Sequence, residues 1–150
     1  MRPFRFRAQA ALQLRRREHD QALAHLARAE SALTLAQHRV DEAASAVRAA
    51  DDTLTAALGA PSRQAPLEWY RSWRVRCCVE RDDRERQYRA RETDVHDAMR
   101  LVHTTAQRVR SLERLHDHAL ATWRRAADQE ERKTMDAIGT TRFTRRKDDV

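Results

Sequence analysis

Residues 12–58 read LQLRRREHDQALAHLARAESALTLAQHRVDEAASAVRAADDTLTAAL, and this stretch decides the fold of the chain. Steps of seven from Leu12 to Leu54 meet an apolar residue at every position except His19. A second row, three residues behind, consists only of alanine: Ala22, Ala29, Ala36, Ala43, Ala50 and Ala57. A straight α-helix drifts off a seven-residue repeat, so a repeat this long requires supercoiling against a partner helix. The small alanine side chains let the two backbones approach closely.

A short connector leads from this stretch to a second helix. Gly59 suits the C-terminal cap of a first helix that runs from about residue 3 to 58, and Pro61 cannot continue that helix. Pro66 suits the first position of a new helix, so we expect a turn over residues 59–65. Because the connector is short, the second helix returns antiparallel to the first. The chain thus supplies its own partner helix.

The second helix is predicted to be the longer one. We expect it to run from about residue 66 to 138 and to stop at Gly139, which leaves residues 139–150 as a disordered tail. The predicted fold class is therefore all-α, a long antiparallel two-helix coiled-coil hairpin that forms a single domain over residues 1–138.

The second half of this helix carries a matching apolar repeat, whereas its middle does not. If the numbers of facing residues add up to about 124, Leu12 faces Leu112. Two apolar rows then lie on the line of contact between the helices (the seam), formed by Val95, Val102, Val109, Ala98, Leu112, Ala119 and Ala126. Between Arg81 and Asp94 only Tyr88 and Ala90 suit a seam. Since arginine stems can cover apolar surface, this segment is either loosely packed or a polar surface kept for a partner.

Composition agrees with a long helical hairpin. The 150 residues include two glycines and three prolines, 35% are charged and 5% are aromatic, which is typical of coiled coils. Almost all cationic residues are arginine, and the formal net charge is +7. Such a balance suits binding to nucleic acid, to an anionic lipid surface or to an acidic protein. It also suits a solvated helix surface, because acidic residues are interspersed along the same helices.

Enzymes, metal proteins and membrane proteins need residue patterns that differ from those of this chain. Adjacent cysteines diverge by about 100° on a helix, so Cys77 and Cys78 do not pair with each other. Glu113 and His116 have the Glu-x-x-His spacing of di-iron bundles without the second motif that such sites require. There is no glycine-rich phosphate loop, no nucleophile with a base and a pocket, and no long apolar run. We expect a cytoplasmic, non-enzymatic protein that binds no metal or cofactor and does not span a membrane.

Several apolar side chains have no partner on the seam. Phe4 and Phe6 cannot both face one seam on a helix, so we expect one of them to be available to something else. Three aromatics follow the turn, Trp69, Tyr70 and Trp73. They either cap the seam or contact a partner at the tip. Beyond Trp123 the second helix outruns the first with an apolar edge of Ala127, Met135 and Ile138, and such a lone helix either frays or docks into a partner.

Two terminal stretches carry a resemblance to a known family. The opening Phe4-Arg5-Phe6, followed by Gln9, Leu12, Leu14-Arg15 and Glu18, is similar to a Phe-x-Phe, Leu-Gln, Leu-x-Leu-Arg start. The closing DQEERKTMD, residues 128–136, is similar to a Glu-Gln-Lys-x-x-Asp-Glu signature, with Ala137 in place of the last glutamate. With two long helices, the second one longer, the chain resembles the FliJ family of type III export stalks, including its injectisome relatives of the YscO type.

The resemblance implies a central stalk similar to the γ-subunit stalk of rotary ATPases. The end with both termini would enter the hexameric export ATPase, and the shaft would reach the export-gate membrane protein, with export chaperones as further partners. The location would be the cytoplasm, peripheral to the inner-membrane export apparatus of a flagellum or an injectisome. The residues expected to contact the ATPase ring are Arg5, Arg7, Gln129, Arg132, Lys133 and Asp136. Those expected to contact the export gate are Arg84, Tyr88 and Arg91.

Two other functions remain open on the sequence. One is a basic coiled-coil adaptor or nucleic-acid-binding protein, since the arginine clusters at residues 15–17 and 145–147 could touch phosphates. Neither cluster lies in a motif that reads bases, so we expect no sequence-specific nucleic-acid partner. The other is a homodimeric coiled coil, in which a second copy supplies the partner helix.

Overall fold

Two helices make up the structure, a computed structural model that describes residues 3–59 and 66–148, with side chains to residue 138. Helix α1 spans Gln9–Gly59 and helix α2 spans Leu67–Asp148. The described ranges contain no strand, and the two helices pack against each other as a hairpin in which α2 is longer. This confirms the predicted all-α fold class.

Helix α1 begins six residues later than predicted. Residues 3–6 are not helical, and the first capping bond runs from the Gln9 N–H to the Phe6 carbonyl at 3.2 Å. Pro3 therefore does not occupy a first helical turn. At the other end Gly59 is the last residue of α1, without the left-handed backbone of a glycine cap. The predicted connector, residues 60–65, lies outside the described residues.

Helix α2 does not end at Gly139, where we expected a stop. The helix continues through Gly139 to Asp148, in place of the disordered tail predicted from residue 139 onward. A glycine inside a helix costs about 1 kcal/mol relative to alanine but keeps its N–H and causes no clash. A proline would lack the N–H and would clash with the preceding turn, but the chain has no proline after Pro66.

The chain groups into two compact units, which are described one at a time. The terminal unit consists of Met1–His19 and Thr105–Val150, and the middle unit is Asp20–Thr104. Each unit contains one part of α1 and one part of α2, so each has its own seam.

The seam of the terminal unit combines apolar residues with one polar layer. Leu12 is 3% exposed and Val109 is buried, as predicted. Thr105, which the apolar rows skip, is also buried, and its Oγ1 lies 3.0 Å from His19 Nδ1. The numbers of this pair add up to 124, in agreement with the predicted register. Ala126, predicted on the same row, is exposed because α1 does not reach that far.

The middle unit is held together mainly by small side chains. Its buried residues are Ala22, Ala36, Ala43, Val47, Ala50, Val95 and Ala98, all of them on the predicted rows. Asp51 on α1 accepts a hydrogen bond from the Arg74 guanidinium on α2. The numbers of that pair add up to 125, so the same register holds in this unit.

A double-mutant cycle on His19 and Thr105 measures the polar layer of the terminal unit. We expect His19→Ala, Thr105→Val and the double variant to give a coupling energy of about 0.5–1.5 kcal/mol, the usual net value of one hydrogen bond. Urea unfolding followed by circular dichroism provides the free energies of unfolding of the wild type and of the three variants. As the control, Thr104→Val replaces Thr105→Val in the cycle, because Thr104 is exposed. If the effects of His19→Ala and Thr105→Val were additive, the hydrogen bond between these two residues would not contribute to stability.

Candidate partner-binding site

Aromatic contacts fix the N-terminal segment against α2 in the terminal unit. The Phe4 ring lies 5.7 Å from the His116 ring and 5.9 Å from the Trp123 ring, centroid to centroid. Phe6 meets His116 edge-on at 5.1 Å. The expectation that one phenylalanine would be available to a partner is therefore wrong, since both are half-buried in the chain itself. In a non-helical segment, residues two apart can share a side, which a helix does not allow.

The part of α2 beyond these contacts has no helix packed against it. Every side chain from Asp128 to Ile138 is exposed, including Met135 at 64% and Ile138 at 45%. Local pairs support the helix there, such as the 2.9 Å contact between Lys133 Nζ and Glu130 Oε1. Exposed pairs of this kind contribute only about 0.3–0.5 kcal/mol each. The segment 128–138 (the overhang) thus depends little on the rest of the chain and presents both charge and apolar surface.

Four of the six predicted ring-contact residues lie together on the overhang. Gln129, Arg132, Lys133 and Asp136 are spaced by three, one and three residues, which places them on one side of α2. All four are exposed, although Lys133 pairs with Glu130 and Asp136 makes a contact within the chain. Arg132 forms no ion pair with another described residue.

The other two, Arg5 and Arg7, lie on the segment held by the phenylalanines. Both are exposed, and Arg5 stands between the two anchored rings. The backbone of the segment is therefore fixed at the level of His116 and Trp123. Gln129 follows Trp123 by six residues, about 9 Å along the helix axis. The terminal unit thus brings the two sets of predicted residues to the same end of the fold.

Charge is distributed very unevenly between the two units. The terminal unit contains 17 basic and 9 acidic residues and has a formal charge of +8. The middle unit contains 13 basic and 14 acidic residues and has a formal charge of −1. The sequence analysis does not anticipate this division, because acidic residues occur along both helices. The sequence contains the signal, because the two ends of the chain together have an excess of basic residues and its centre does not.

The predicted gate-contact residues lie in the middle unit and already have partners on their own helix. Arg84 pairs with Glu80 at 3.1 Å, and Arg91 pairs with Asp94 at 2.9 Å. The hydroxyl of Tyr88 donates a hydrogen bond to the Glu92 carboxylate, which raises the pKa of the phenol. These three residues share a face of α2.

Arginine side chains of the segment 81–94 lie beside the alanine row of α1. None of its residues is buried, yet Ala36 and Ala43 opposite it on α1 are. Arg84 lines a shallow groove with Ala43, and Arg91 lines another with Ala36. Arginine stems can cover apolar surface while their charged ends reach water, and here they lie beside the alanine row.

The aromatics after the turn contact one another. The Trp69 ring lies 5.1 Å from that of Tyr70 and 5.8 Å from that of Trp73. Tyr70 and Trp73 are half-buried, whereas Trp69 and Leu58 are exposed. Next to them, the hydrogen bond and charge of Asp51 raise the pKa of Arg74. The cluster therefore covers part of the seam and leaves one indole on the surface.

Metal-binding and membrane-spanning features are also absent from the described residues. No three or more histidine, cysteine, aspartate or glutamate side chains gather there as a metal site would require. His19 and His116, the two histidines on the seam line, contact Thr105 and Asp117 instead. Over the same residues neither helix carries a segment long and apolar enough to cross a membrane.

Comparison of the chain with protein-family models, with curated protein sequences and with solved structures gives no match.

Proposed function

We propose that this chain is the non-enzymatic central stalk of a type III protein export system, flagellar or injectisome. The overhang and the basic end of the terminal unit enter the hexameric export ATPase, and the middle unit reaches the export gate. The resemblance of the terminal motifs names these partners, and export chaperones are further candidates. The protein acts in the cytoplasm, peripheral to the inner-membrane export apparatus.

The observation that carries this proposal is the overhang. Lone helices of this length are marginal in water, and residues 128–138 expose every side chain. A partner that surrounds the segment would stabilise it. The inner surface of a ring suits such a segment, because many weak polar contacts allow rotation where one tight apolar socket would prevent it.

The gate contact would use one face of α2 in the middle unit. Arg84, Tyr88 and Arg91 share one face of α2, and their own-helix carboxylate partners keep them close to neutral as a set. A gate surface that takes over those pairs would exchange one set of ionic contacts for another at little cost.

Mixing the purified chain with the export ATPase of the same organism tests the stalk role. We expect faster ATP hydrolysis and hexamer formation in the presence of the chain. The double variant Arg132→Glu, Lys133→Glu should require about tenfold more chain for half-maximal stimulation, because two weakly favourable ionic contacts become repulsive. Phosphate release provides the rates, and circular dichroism checks that helicity is kept.

The matched control is the double variant Arg71→Glu, Arg86→Glu. Both arginines are exposed and lie in the middle unit outside the gate-contact set. This variant carries the same change in net charge and should stimulate as the wild type does. Failure of the wild-type chain to stimulate hydrolysis or to bind the hexamer would refute the stalk role.

A further inference from the structure

Three arginines of α2 in the terminal unit lack the ion pairs that several arginines of α2 in the middle unit form. In the middle unit, Arg71, Arg81 and Arg86 each pair with a carboxylate on their own helix at 2.6–3.1 Å. In the terminal unit, Arg110, Arg114 and Arg125 are exposed and form no ion pair within the part of the chain that the structure describes. Their charges therefore face solvent without a counter-charge from the protein.

These three arginines belong to one continuous row on α2. The row consists of Gln107, Arg110, Arg114, His118, Ala121 and Arg125, at steps of three or four residues (the arginine row). Such steps keep side chains on one side of a helix, and this side is turned away from buried Thr105 and Val109. All members except Ala121 are exposed and none is acidic, and the next residue at the same steps is exposed Asp128.

Two acidic residues close to Arg114 in sequence, Glu113 and Asp117, contact residues outside the row. Glu113 Oε1 accepts a hydrogen bond from Arg16 Nη2 at 2.7 Å, on the flank of α2 that faces α1. Asp117 Oδ1 lies 3.1 Å from His116 Nδ1, beside the aromatic cluster. Both acids are engaged with residues outside the arginine row.

The chemistry of the row matches phosphate more closely than a protein surface. Protein interfaces place apolar and aromatic side chains at their centre, whereas the row contains no apolar side chain larger than the half-buried Ala121. Interfaces with nucleic acid are more polar and more positively charged, and guanidinium groups bind phosphate through two parallel hydrogen bonds. Arg110 and Arg125 stand about 22 Å apart along α2. Each strand of duplex DNA presents a phosphate about every 3.4 Å of helix axis, so several phosphates fall within that distance.

We infer that the arginine row is a contact surface for the phosphate backbone of nucleic acid, independent of base sequence. Arg110, Arg114 and Arg125 supply the ionic contacts, and Gln107 and His118 on the same side of α2 add hydrogen bonds. The formal charge of +8 in the terminal unit draws the polyanion to this end of the chain. The inference uses residues outside the overhang and does not rest on the stalk role.

Fluorescence anisotropy with a labelled DNA duplex of about 30 base pairs tests the inference. The full chain should bind two duplexes of unrelated sequence equally well, with an affinity that falls steeply between about 50 and 200 mM salt. The triple variant Arg110→Gln, Arg114→Gln, Arg125→Gln should lower the slope of log K against log salt by about 3, one for each phosphate that the variant no longer neutralises. Its affinity at the lowest salt should fall by about tenfold or more.

The control is Arg71→Gln, Arg81→Gln, Arg86→Gln, which removes the same charge from paired positions of the middle unit. Glutamine keeps helix propensity in both variants, and circular dichroism verifies it. We expect the control to change the salt slope by less than about 1. No duplex binding by the wild type, equal losses in both variants, or equally tight binding of poly-glutamate would each overturn the inference.

Discussion

Leu12→Ala is expected to lower the free energy of unfolding by about 2–4 kcal/mol. Leu12 is 3% exposed in the seam of the terminal unit. A two-helix seam has no further layer that could close over the space left by the deleted atoms. The loss should therefore include both the transfer of the side chain and the unfilled cavity.

Leu14→Ala is the matched control, since it removes the same atoms from the same helix two residues away. Leu14 is 53% exposed, so its truncation should cost less than about 0.5 kcal/mol. Urea unfolding of the full chain, followed by helical circular dichroism, gives both values. Equal losses in the two variants would show that the predicted face of α1 is not the packed one.

Ala50→Leu is expected to destabilise the middle unit by about 1–3 kcal/mol, although leucine is a good helix former. Ala50 is fully buried, with 0% exposure, where the backbones approach each other. A leucine side chain there would collide with α2 and force the helices apart. The packing of neighbouring Val47 in the seam would then loosen as well.

The control for this prediction is Ala49→Leu on the solvent side of the same turn. Ala49 is exposed, so its replacement should change the free energy of unfolding by no more than about 0.5 kcal/mol. Thermal unfolding of both variants gives the comparison. If Ala50→Leu were as stable as Ala49→Leu, the alanine row would not be a line of close approach.

The seven-residue rows predicted most of the packing because period and burial are directly linked in a coiled coil. Ala22, Ala36, Ala43 and Ala50 are buried as the alanine row predicts. Thr105 escaped the prediction because the rows were traced through apolar residues only. A polar residue that pairs with another across the seam can satisfy the same period.

The ends of the helices were harder to predict than their contacts. Gly139 carries a local preference to end a helix, but α2 continues through it. Local preferences cost about 1 kcal/mol per residue, and context readily outweighs them. The N-terminal segment likewise depended on His116, more than a hundred residues away in sequence, which no local pattern around Phe4 or Phe6 indicates.

The charge of the site was predictable only in total. A net charge of +7 does not reveal that the terminal unit holds all of the excess. Neighbours at three and four residues pair Arg86 with Asp83. Arg110 also has a glutamate three residues away, Glu113, but that carboxylate accepts a hydrogen bond from Arg16 of α1. The boundary between the units was needed before these charges could be assigned to separate surfaces.

The contact between His19 and Thr105 removes an ambiguity that the repeat itself creates. In a regular seven-residue pattern, one helix can slide past the other by two turns and still place apolar residues against apolar residues. Here such a slip would move Thr105 opposite Leu12 or Leu26 and His19 opposite Ala98 or Leu112. Each slip would separate His19 from Thr105 and lose the hydrogen bond between them, a net cost of about 0.5–1.5 kcal/mol. The polar layer therefore favours a single alignment, as do the Arg16–Glu113 and Asp51–Arg74 pairs between the helices.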